Sequence, residues 1–73
     1  MEYMKEIDVD GQTCVAHFQV VKNGFLLVKI QMPDGAIHPV FDMGFPEEIY
    51  ALGAATRRAQ RIFAANPQQV STP

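Results

Sequence analysis

Cysteine is nearly absent from this chain of 73 residues, in which Cys14 is the only one. A single cysteine excludes an internal disulfide, and small secreted domains usually depend on an even set of disulfide-forming cysteines. We therefore expect a reducing, cytoplasmic setting. A fold of this size buries only about 60% of the surface of its unfolded chain, so self-association is an obvious further source of stability.

Basic residues are also scarce, with 6 lysines and arginines against 8 acidic residues and a net charge of −2. Phosphate contacts supply much of the affinity for nucleic acids, so we expect no nucleic-acid partner from this balance. No apolar run approaches the roughly 20 residues that span a bilayer, and the N-terminus lacks a signal-peptide pattern. We expect no contact with a membrane.

Three turn signals separate four segments that favour β-strands: Asp10-Gly11, Lys22-Asn23-Gly24 and Pro33-Asp34-Gly35. The last strand is predicted from about Ala36 to Asp42. Pro39 cannot donate to a β-ladder, which places that strand at an edge of the sheet. The pattern predicts a four-stranded antiparallel meander.

The register of the hairpins follows from the turn lengths. A two-residue turn at Asp10-Gly11 sets Ile7 opposite Cys14. At the second turn, a two-residue turn at Asn23-Gly24 aligns Phe18 with Lys29, whereas a three-residue loop, Lys22-Asn23-Gly24, aligns Phe18 with Val28 and makes every inward pair apolar. We predict the three-residue loop there and at the third turn.

A helix is predicted after Pro46, which suits a first helical position, with Glu47 and Glu48 at the positive end of the macrodipole. Asn66-Pro67 ends it. Its buried stripe is predicted to comprise Ile49, Leu52, Ala55, Thr56, Ala59, Ile62 and Phe63. The predicted fold class is therefore α+β, with a four-stranded meander and one C-terminal helix packed on one sheet face. We predict that residues 1–66 form a single domain and that residues 67–73 form a disordered polar tail.

The uncovered face of the predicted sheet is also apolar. It carries Val15, Val21, Phe25, Leu27, Ile37 and Phe41 between polar residues. Either one register is wrong and some of these side chains turn inward, or a second layer covers this face. We favour a homodimer, with Phe25, Leu27, Ile37 and Phe41 as interaction residues.

Candidate chemistry is sparse. Cys14 and His17 point to opposite faces of one strand, so they do not converge on a metal, and no residue set indicates catalysis or a cofactor. Arg57, Arg58 and Arg61 form the one basic cluster, with Arg57 and Arg61 on the same helix face. The cluster either complements the helix dipole or contacts an anion or nucleic acid.

The layout of the chain is similar to that of the single-strand-binding coactivator domains of the positive cofactor four type. The points of similarity are Pro33-Asp34-Gly35 before the fourth strand and Gly44-Phe45-Pro46-Glu47-Glu48 before the helix. That resemblance implies a dimer and, as an alternative function, a nucleic-acid-binding regulatory domain that uses the arginine face. The sheets of those domains are rich in lysine and arginine, unlike this one, so no binding residues are carried over. The leading hypothesis is a small non-enzymatic, bacterial-type interaction or regulatory protein that acts as a homodimer.

Overall fold

The computed structural model describes residues 1–65, with the side chains of residues 42 and 43 excepted. Four strands, β1 (Glu2–Val9), β2 (Gln12–Val21), β3 (Gly24–Gln31) and β4 (Ile37–Phe45), form one antiparallel sheet in chain order. The helix α1 (Glu48–Ala65) follows and packs on the sheet. The predicted α+β meander with a C-terminal helix is confirmed. The predicted tail lies outside the described residues.

Two of the three turns have the predicted form. Asp10 and Gly11 both have positive φ, at 53° and 80°, and Ile7 pairs with Cys14. In the third turn Gly35 has a φ of 92°, and the backbone N–H of Ala36 donates to Asp34 Oδ1 at 2.9 Å. Strand β4 lies at the sheet edge, as Pro39 requires.

The second hairpin differs from the prediction because its loop consists of two residues, Lys22 and Asn23. Val21 pairs with Gly24, and Phe18 consequently pairs with Leu27 instead of Val28. A β-bulge then leaves Val28 without a directly opposed residue in β2. The extra residue restores the predicted pairing beyond it, where Ala16 faces Ile30.

The shorter loop reverses the faces predicted for the first half of β3, between the loop and the bulge. Leu27 is fully buried against the core, and Phe25 is half-buried there with its ring centroid 6.3 Å from that of Tyr3. The prediction that placed Phe25 and Leu27 on the uncovered face was therefore wrong. Leu26, which pairs with the exposed Gln19, lies on that face instead.

Small side chains bring the helix close to the sheet. Ala51, Ala55 and Ala59 are fully buried, and Phe63 closes the C-terminal end of the contact. Ile49, which was predicted to be buried, is 69% exposed. The core beneath the helix consists of Val9, Cys14, Ala16, Phe18, Leu27, Ile30, Met32 and Val40 together with the helical residues.

Strand β1 holds the start of the helix through polar contacts. The Tyr3 hydroxyl donates to Glu48 Oε2 at 2.5 Å, and Lys5 Nζ lies 3.8 Å from Glu48 Oε1. Burial of the phenol raises the pKa of Tyr3 to about 12, and the hydrogen bond and negative charge of Glu48 act in the same direction. The first and last elements of the chain are thereby joined.

Candidate functional site

The sheet face opposite the helix, which we call the outer face, keeps large apolar groups in contact with solvent. Phe41 is 75% exposed, Met4 is 65% exposed and Ile37 is 48% exposed. Their alternation and ladder partners place them on one side of the sheet, together with Val15, Val21 and Leu26. An exposed apolar cluster of this kind is typical of an interaction surface.

Phe41 owes its prominence to an irregularity in β4. Lys29 pairs with Pro39 and Leu27 pairs with Met43, so three residues of β4, 40–42, stand opposite Val28 alone. Phe41 is the middle one of the three. Bulges of this type re-aim side chains and bend the edge of a sheet. The aromatic ring is therefore directed away from the covered core.

A cavity of about 210 Å³ opens beside the bulge of β3. It is lined by Glu2, Tyr3, Met4, His17, Phe18, Val28 and Lys29. His17 Nε2 is buried and has no hydrogen-bond partner among the described residues. A lone imidazole beside one carboxylate and one ammonium is not a catalytic arrangement without a nucleophile or an oriented base.

The other distinctive surface is on the helix. Arg57, Arg58 and Arg61 line a crevice of about 70 Å³ with Ala54, which is 5% exposed. The guanidinium of Arg57 lies back along the helix, since a Cβ built on Gly53 would be 3.5 Å from its Nη1. Among the described side chains, the only ion pair joins Lys5 and Glu48, so none of the described carboxylates pairs with these arginines.

The cysteine and the two histidines lie apart in the described part of the chain. Cys14 is fully buried, and burial raises the pKa of its thiol, which disfavours the reactive thiolate. His38 pairs with Ile30 on the covered face, whereas His17 lies on the outer face. Within residues 1–41 and 44–65, no group of three histidine, cysteine, aspartate or glutamate side chains could hold a metal ion.

The six predicted interaction residues therefore divide into three sets. Ile37 and Phe41 lie exposed on the outer face, while Phe25 and Leu27 belong to the covered side. Arg57 and Arg61 are exposed on the helix, across the sheet from the outer face. Sequence reasoning missed Met4 and Leu26 as outer-face residues. The alternation of Met4 with Lys5 and Ile7 already contained the signal for Met4.

No helix in the part of the chain that the structure describes is long and apolar enough to cross a membrane. No protein-family model matches the chain. Comparisons with curated proteins and with solved structures return no significant match.

Proposed function

We propose that this chain is a non-enzymatic interaction or regulatory protein that works as a homodimer joined through the outer face. The single observation that carries the proposal is Phe41, an aromatic side chain 75% exposed at the bulge of an edge strand. Burying a phenylalanine ring is worth about 1.5–3 kcal/mol relative to leaving it in water. A second copy supplies such cover symmetrically, because a twofold interface buries the same residue twice.

The outer face has the composition of an interface with an apolar centre and a polar rim. Leu26, Ile37 and Phe41 are spread along β3 and β4, and the exposed acidic residues Glu6 and Asp8 lie on the far strand β1. Charged groups at the rim remain in water while the apolar centre is covered. This distribution supports a contact centred on β3 and β4.

The area of the outer face can be compared with the area that a specific dimer interface needs. Four strands spaced by about 4.8 Å, each with about eight residues at a rise of about 3.3 Å, present about 500 Å². Two copies packed face to face over all four strands would bury at most about 1,000 Å² in total, which is the threshold for a specific interface. Sheets packed in this way lie about 10 Å apart with interdigitated side chains.

The test is the solution mass of the wild type and two variants, measured by light scattering behind size exclusion across a concentration series. We expect a dimer for the wild type. Phe41→Asp should weaken dimerisation by at least about 100-fold, because two rings lose their cover and two charges enter the contact. Ile49→Asp is the matched control, since Ile49 is equally prominent but lies on the helix.

A wild type that stays monomeric at every concentration would contradict the proposal. Equal weakening by Phe41→Asp and Ile49→Asp would also contradict it, because the contact would then not be specific to the outer face. Circular dichroism of all three proteins establishes that each remains folded.

A further inference from the structure

We infer that the crevice lined by Arg57, Arg58 and Arg61 binds a phosphate group, and that its ligand is a small phosphomonoester. This site lies on the helix, on the opposite side of the sheet from the outer face, so it is independent of the proposed dimer. The inference rests on three arginines at one opening, on the lack of any acidic side chain in the sequence after Glu48, and on the size of the opening.

Three arginines line one crevice although their positive charges repel one another. Arg61 is four residues from Arg57 and three from Arg58, and like charges at these helical spacings are mutually destabilising. Every acidic residue of the chain lies between Glu2 and Glu48, which leaves the remainder of the helix with these three positive charges and no negative one. A bound anion would relieve this repulsion.

Guanidinium chemistry favours phosphate as that anion. Arginine presents a planar fork of donors that matches phosphate oxygens in pairs, and such charge-assisted hydrogen bonds are about twice as strong as neutral ones. A phosphomonoester carries nearly two negative charges at pH 7 and three acceptor oxygens, so it can engage more than one fork. The crevice, at about 70 Å³, has room for a single compact group of this kind.

The surroundings favour a small ligand over a nucleic acid. The protein carries a net charge of −2, which repels a polyanion. From Arg57 to Arg61 the helix rises only about 6 Å, so the cations address one phosphate instead of following a backbone.

Tyr50 provides a surface for the organic part of the ligand. Its ring is 57% exposed, and position 50 shares the helix face of Arg57 two turns earlier. The side chain of Arg57 already reaches back to Gly53 and so shortens the separation by about one turn. A ligand with an aromatic group can therefore place its phosphate in the crevice and its ring against Tyr50.

The experiment is an amide chemical-shift titration of the full chain with phenyl phosphate, inorganic phosphate and a single-stranded oligonucleotide. We expect saturable binding of phenyl phosphate, with shifts confined to the helix between residues 50 and 61. Arg57→Ala and Arg61→Ala should each weaken it about tenfold or more. Both side chains are exposed, so these variants should fold normally.

The affinities of three further variants distinguish a specific binding site from non-specific attraction between charges. Lys22→Ala removes the same charge from an exposed turn and should change the affinity less than twofold. Arg61→Lys keeps the charge but loses the fork, and should recover only part of the loss. Tyr50→Ala should weaken phenyl phosphate and leave inorganic phosphate unchanged.

Several results would overturn the inference. Shifts that do not saturate, or that Lys22→Ala reduces as much as Arg61→Ala, would mean non-specific attraction. An oligonucleotide that binds the crevice more tightly than phenyl phosphate at physiological salt would mean a nucleic-acid surface. Neither result depends on whether the protein is a dimer, so this test and that of the proposed function fail separately.

Discussion

Two adjacent leucines on β3 provide a sharp test of the bulged register. Leu27 is fully buried and pairs with Phe18, whereas Leu26 pairs with the exposed Gln19 and is half-buried on the outer face. The perturbation is the same in each case, replacement of leucine by alanine. Only the face of the sheet differs between the two variants.

The expected magnitudes differ by a factor of at least two. Truncating a fully buried leucine costs about 2.7–5 kcal/mol, because the lost transfer free energy adds to that of the cavity. A chain of this size has an unfolding free energy of about 4–11 kcal/mol, so Leu27→Ala should remove a large part of it. Leu26→Ala should cost about 1 kcal/mol, since its side chain keeps partial contact with water in the monomer.

The assay is urea unfolding followed by circular dichroism, at a protein concentration low enough to favour monomers. The denaturant dependence should be the same for both variants, so that midpoints report stability directly. A larger cost for Leu26→Ala than for Leu27→Ala would refute the bulged register. It would support the three-residue loop, in which Leu26 faces the core.

Two further predictions concern single contacts. The pKa of Tyr3 is about 12 in the folded chain and about 10 in the unfolded chain, so between these values the folded state keeps a phenolic proton that the unfolded state loses. The free energy of unfolding should therefore be unaffected by this group below about pH 10. It should fall by about 1–2 kcal/mol as the pH rises to about 12, a range that allows for solvent screening. Tyr3→Phe should remove this decline, and an unchanged pH profile of the unfolding free energy in that variant would contradict the assignment. Gly24→Ala should destabilise the fold by more than about 2 kcal/mol, since its Cβ would lie 2.1 Å from the carbonyl oxygen of Phe45. Gly11→Ala, which has positive φ but open space around it, should cost only about 1–2 kcal/mol, and equal thermal midpoints for the two would exclude the clash.

The architecture could be predicted because local chemistry specifies it. Asp10-Gly11 and Pro33-Asp34-Gly35 demand particular backbone conformations, and Pro46 with Glu47 opens a helix. These signals act over a few residues and do not depend on the rest of the fold. The first and third turns accordingly agree with the prediction in detail.

The register of β3 could not be predicted, because Phe25, Leu26, Leu27 and Val28 are four apolar residues in succession. A continuous apolar run contains no alternation from which a face can be chosen. The bulge at Val28 resolves the ambiguity through contacts with β2 and β4 that are not local. The exposure of Phe41 follows from a second irregularity, in β4 opposite Val28.

The buried stripe of the helix was only partly predictable for a similar reason. Ile49 has the correct spacing but lies exposed, whereas Ala51 is fully buried. Side-chain size decided the outcome here, since an alanine seam permits a closer approach than a stripe of large residues would. Periodicity identifies a face of a helix, but the angle at which it meets the sheet depends on tertiary packing.

The contact between β1 and the helix has a consequence for synthesis. Tyr3 and Glu48 are 45 residues apart, so the first strand is made before its helical partner exists. At about 5–20 residues per second, the ribosome adds those residues in about 2–9 s. During that interval the nascent meander has no cover on either face. A chaperone that shields apolar strands as they emerge would therefore find its target in the unfinished chain and lose it when the helix docks.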